Sequence, residues 1–104
     1  MQRRAFKMYL HPGQAEAYKR RHDDIWPELT DLLKEAGVED YSIFLDEDTN
    51  ILFGVLKTSK PAALDALPSK DAMQRWWAYM CDIMDAKPDN EPVTVPLKEV
   101  FHMD

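Results

Sequence analysis

The chain of 104 residues has one cysteine, Cys81, and three glycines. A lone thiol excludes an intrachain disulfide and a thiolate-ligated zinc site, and it fits a reducing, cytoplasmic compartment. With few glycines and no Gly-rich loop after a strand, dinucleotide and P-loop phosphate binding lack the backbone they require, which sets dehydrogenases and kinases aside. No apolar run approaches the ~20 residues needed to cross a bilayer, so no membrane partner is expected. The basic residues of MQRRAFKMYL precede an apolar stretch too short for a signal peptide, and the segment reads as a first strand. Positive charge is also short. Thirteen Lys and Arg against nineteen Asp and Glu leave a formal charge of -6, the wrong sign for binding a phosphate backbone, and no nucleic-acid partner is expected. The only basic cluster, Lys19, Arg20 and Arg21, reads as a solvated helix face. Three histidines, His11, His22 and His102, show no ligand spacing, so no metal is expected.

What is present is globular: 45% hydrophobic and 11% aromatic residues, a size suited to one domain over residues 1–104 that hides ~60 to 70% of its unfolded surface. Residues 3–10 alternate, with Phe6, Met8 and Leu10 on the buried side of a strand. A helix is expected from Gln14 to about His22. Pro27 disfavours helical geometry at Trp26, so a break follows, then a second helix over 27–36 with Gly37 as its C-terminal cap. Residues 38–46 and ILFGVLK read as a hairpin joined by DEDTN. A short helix at PAALDAL, a longer one from about Ser69 to Met84, a Pro-rich segment and a last strand at about Leu97 to Met103 complete the reading. The order β, broken α, β, β, broken α, β is the ferredoxin-like α+β fold, a four-stranded antiparallel sheet with helices on one face. Its uncovered face predicts a homodimer, two sheets packed across a two-fold axis as a dimeric α/β barrel.

Two clusters attract chemistry. In YKRRHDDIWPEL, Tyr18 and His22 stand at i and i+4, one above the other on a helix, where both side chains can address one ligand. Asp23, Asp24 and Glu28 lie close in sequence, which predicts an imidazole pKa near or above its ordinary value. The plain alternative is a solvated histidine at the end of a surface helix. In QRWWAYMCDIM, Met73, Trp76, Trp77, Met80 and Met84 follow a helical stripe, which core packing explains. Trp76 and Trp77 nevertheless point about 100° apart around the axis, so one of them at the stripe's edge can face a cavity and offer an indole to the C–H surface of a sugar. Tyr41 either reaches the same cavity or packs. Cys81 reads as an inert thiol.

Taken together in their order and separation, YxxxH, IWPEL, QRWWxYMxDxM and PDNxP resemble the L-rhamnose mutarotase family, over essentially all of the chain. The resemblance implies a ferredoxin-like domain dimerised through its sheet, and interconversion of the α and β anomers of L-rhamnose without a cofactor. It implies His22 as proton donor and Tyr18, Tyr41, Trp76 and Trp77 as sugar-binding residues. On this reading His22 protonates the ring oxygen as its bond to C1 breaks, Tyr18 positions, and a carboxylate or water accepts the anomeric proton. Two competing readings are a non-catalytic sugar-binding dimer and a haem-binding or oxygenase-type dimeric α/β barrel, the latter disfavoured by the motif set.

Overall fold

Every second residue is buried along Ile51–Thr58, a strand that lies inside a sheet with one face against helices. The computed structural model describes residues 1–104. Its elements are β1 (Gln2–Tyr9), α1 (Ala15–Asp23), α2 (Pro27–Glu35), β2 (Val38–Asp46), β3 (Ile51–Thr58), α3 (Pro61–Asp65), a 3-10 turn (Leu67–Ser69), α4 (Asp71–Met80) and β4 (Val95–Pro96). The strands form one antiparallel sheet in the order β2-β3-β1-β4, the arrangement expected of the ferredoxin-like fold. Met8, Leu52 and the α4 residues Trp76 and Met80 meet α1 and α2 through Tyr18 and Leu29 in a single apolar core. Full burial of a Leu such as Leu52, 2% exposed, contributes about 2 kcal/mol.

Local chemistry explains the breaks. Trp26 is held extended (φ -63°, ψ 132°) ahead of Pro27, which opens α2 where no N–H is needed. Gly37 closes α2 at φ +76°, its N–H donating to the Lys34 carbonyl at 2.9 Å. The buried Thr58 hydroxyl donates to the Ala36 carbonyl at 3.0 Å and so ties the end of α2 to β3. No buried side-chain nitrogen or oxygen lacks a partner. No helix is long and apolar enough to cross a membrane.

Two expected boundaries are corrected. Helix α4 stops at Met80 rather than Met84, because the chain turns there and its backbone is taken up by the end of β1: the His11 N–H donates to the Ile83 carbonyl at 2.8 Å, and Leu10 bridges Met84. Ile83 and Met84 stay buried, so helical spacing continued past the point where the helix ended. The last strand is the short Val95–Pro96 beside Phe6 and Lys7, not 97–103. Pro96 has no N–H for a ladder and is tolerated because β4 is an edge strand. The ladder ends with one further bond, from the Leu97 N–H to the Ala5 carbonyl at 2.9 Å. Beyond it the tail is irregular and exposed, with Phe101 80% accessible and Glu99 paired to Arg3 at 3.1 Å.

Candidate active site

Helix α1 carries no glycine, proline or β-branched residue. Glu16 in its first turn and Arg20, Arg21 and His22 in its last complement the helix dipole. The i, i+4 spacing brings Tyr18 and His22 together, their rings stacked with centroids 4.2 Å apart and planes 28° from parallel. His22 Nδ1 lies 2.9 Å from the Tyr18 carbonyl oxygen. A carbonyl oxygen only accepts, so Nδ1 carries the proton, and in the neutral ring Nε2 holds the lone pair. Nε2 has no partner within the protein and is not sealed from solvent. Both rings line a cavity of about 930 Å³ between the helices and the sheet.

The imidazole pKa is lowered, contrary to the expectation from neighbouring acids. Burial outweighs the opposing influence of the Tyr18 carbonyl and of the Asp23 charge. Two of the three acids near in sequence are paired elsewhere. Asp23 faces Lys19 at 3.0 Å, and Glu28 forms a pair of bonds to Arg75 at 2.8 and 3.0 Å. At neutral pH the resting ring is therefore uncharged.

Tyr41 reaches the cavity because of a backbone irregularity. Between Glu39 and Ser42 the register of β2 against β3 shifts, so Asp40 and Tyr41 both fall opposite Leu56, with Asp40 at φ +49°. That bulge reverses the alternation and turns Tyr41 to the helix side along with Ile43 and Leu45. Burial raises the Tyr18 phenol far above its usual range, and the nearness of Tyr41 adds to it. Burial of its hydroxyl end pushes Tyr41 up to about 12, although the residue as a whole is 38% exposed. Both phenols stay protonated at neutral pH, each with an O–H to donate.

The adjacent tryptophans separate. Trp76, 6% exposed, lines the cavity, and its indole meets the His22 ring edge-on at 5.4 Å. Trp77 is half-buried at the margin of the core and does not line the cavity. His22, Tyr18, Tyr41 and Trp76 are thus brought together, and Trp77 is not.

A profile described as L-rhamnose mutarotase matches residues 3–103. The chain belongs to the L-rhamnose mutarotase family. It is 60% identical to the L-rhamnose mutarotase of Sinorhizobium fredii and 61% identical to that of a Jannaschia species, in each case over 99% of both chains. The crystal structure of L-rhamnose mutarotase from Formosa agariphila superposes with a TM-score of 0.94 at 51% identity, covering 100% of both chains. An antibiotic biosynthesis monooxygenase, 14% identical with a TM-score of 0.52 over 96% of this chain and 99% of its own, shares the fold alone.

This L-rhamnose mutarotase family member also packs, behind its site, residues to which the sequence reading assigned no role. Trp26, swung inward by the proline after it, meets Trp76 edge-on at 5.1 Å and stacks on Tyr79 at 5.6 Å. Arg21 lies over Tyr79 at 4.6 Å while its guanidinium grips Asp82 at 2.8 and 3.1 Å, and Arg75 lies over Trp26 at 5.7 Å. The pairing holds the Asp82 carboxyl below its usual range. Two ion pairs thus clamp the helices against the aromatic group behind His22. The sequence signal for Trp26 was the Trp-Pro step; for Arg21, which contacts residues 58 and 61 positions away, there was none.

Proposed function

We propose that this chain interconverts the α and β anomers of L-rhamnose, with His22 as the group that moves the proton. Membership of the family and the names of its relatives support the activity; the bond from Nδ1 to the Tyr18 carbonyl, which leaves Nε2 as a free base in the cavity, carries the role of His22. We read residues 1–104 as one domain, and the lone cysteine favours a cytoplasmic setting.

Ring opening moves one proton from the anomeric hydroxyl O1 to the ring oxygen O5, both bonded to C1. Neutral His22 takes the O1 proton at Nε2 and becomes an imidazolium; as the C1–O5 bond breaks and the C1–O1 bond becomes a carbonyl, the same Nε2 returns the proton to O5. Rotation about C1–C2 and the reverse steps give the other anomer. The proton count closes on one residue, so no separate acceptor is required, and donation to O5 remains the step expected of His22. Such acid-base assistance typically contributes ~10² to 10⁴-fold. Tyr18 and Tyr41, protonated at neutral pH, donate hydrogen bonds to the sugar. Trp76 supplies the aromatic platform and Trp77 supports the core beside it. Burying ~100 Å² of apolar sugar surface contributes about 2 to 3 kcal/mol, enough for modest affinity and fast release.

The homodimer belongs to the same proposal. The sheet face turned away from the helices carries Phe44, 64% exposed, beside its cross-strand neighbour Phe53, and a second copy applied there covers both.

Saturation-transfer NMR between the anomeric proton signals of L-rhamnose tests the activity. The wild-type protein is expected to speed exchange and His22→Ala to lose ~10² to 10⁴-fold. Equal exchange with the two proteins would remove His22 from the mechanism, and no acceleration by either would remove the activity.

A further inference from the structure

Gly54 sits at an inward-facing, buried position of β3 with Phe6 of β1 paired to one side and Ile43 of β2 to the other. A Cβ on residue 54 would lie 2.6 Å from two atoms of the Phe6 ring and 3.2 Å from a third. The ring therefore occupies the space where any other residue begins its side chain. The consequence reaches the next strand. Strands β1 and β2 flank β3, which puts their backbones roughly 10 Å apart, yet the Phe6 and Tyr41 rings meet edge-to-face with centroids 6.3 Å apart. They meet because nothing rises from β3 between them. Gly54 has no left-handed φ to explain it, so space rather than backbone conformation is what the glycine provides.

Phe6, Tyr41, Leu52 and Leu56 are part of the cavity lining. With the end of the Phe6 ring lying over Gly54, the ring forms the apolar floor where residue 54 has no side chain. We propose that Gly54 is a specificity-determining position: the missing side chain sets the depth of the sugar site, seats the C6 methyl of a 6-deoxyhexose on the Phe6 ring, and holds Tyr41 in place through that ring. The proposal rests on the mutarotase reading above.

In Gly54→Ala the added methyl overlaps the Phe6 ring and displaces it, and that ring is part of the cavity lining. The KM for L-rhamnose should rise at least about tenfold, the scale on which one misplaced methyl group acts in an apolar pocket. Because His22 stands on the opposite, helical wall, kcat should stay within about threefold, the pattern of lost binding rather than lost chemistry. The inhibition constant of L-lyxose, which keeps the ring stereochemistry but lacks the methyl, should rise much less. Phe6→Leu placed in the Gly54→Ala chain should restore part of the L-rhamnose KM, because the smaller side chain clears the new methyl while the lost ring still weakens the seat of the C6 methyl.

A Gly54→Ala protein with unchanged KM overturns the proposal. So does a raised KM that Phe6→Leu leaves unrescued, or one that rises equally for the two sugars, since either would make residue 54 a matter of folding alone; thermal melts of each variant accompany the assay. A wild-type protein inactive on L-rhamnose overturns the underlying reading instead, and that result needs no variant to be seen.

Discussion

The two faces of the sheet are built from alternate residues of the same strands and have opposite characters. On the helix side, Met8, Leu52 and Leu56 are buried and close a core, and the cavity lies between that face and the aromatic wall of α1 and α4. On the other side, Phe44 and Phe53 sit among Lys7, Lys57 and Ser42 with no layer over them. The inner face gains its stability from packing within the chain, whereas the outer face offers apolar surface that only another surface can cover. A substitution should therefore be read by folding on one face and by assembly on the other.

That contrast is open to direct measurement. The largest effect is expected at the centre of the inner face: Leu52→Ala should cost about 2 to 5 kcal/mol in chemical denaturation, the range for large-to-small changes in a packed core. A loss below about 1 kcal/mol would mean that this face is loosely packed. Next comes titration of the inner wall. Burial lowers the His22 pKa, and the proposed cycle begins from the neutral ring. The enzyme-dependent exchange rate should therefore be level through neutrality and fall about tenfold per pH unit once the pH drops below the lowered value. A rate that instead falls as pH rises through that region would show that the cycle starts from the imidazolium. The smallest effect on folding is expected outside. Phe44→Asp should change the unfolding free energy of the separated chain by no more than about 0.5 kcal/mol, while light scattering shifts from twice the chain mass to the chain mass. If mass is unchanged by this substitution, the outer face is not where two copies meet.

Element order and most boundaries were legible because local signals agreed with one another. The alternation of ILFGVLK, the Trp-Pro step and Gly37 each describe a few neighbouring residues, and α1, α2, β2 and β3 lie within one residue of expectation. The two errors of boundary have separate causes. The apolar period of α4 ran on through Ile83 and Met84, but a buried residue satisfies that period whether it hangs from a helix or from a turn held by β1. At the C-terminus the strand expected over 97–103 does not form: pairing with β1 is made by Val95–Pro96 and ends with the Leu97 N–H, and the residues beyond are exposed.

The site divides in the same way. Sequence by itself determined that Tyr18 and His22 share a helix face and that Trp76 and Trp77 diverge, because both follow from helical periodicity alone. Which indole faces the cavity, how Asp40 turns Tyr41 inward, why the imidazole loses its proton more readily despite the acids beside it, and what room Gly54 leaves for Phe6 were decided only in three dimensions. Desolvation, ring contacts and the reach of Arg21 and Arg75 depend on which distant segments pack against a residue, and neighbouring letters carry no record of that.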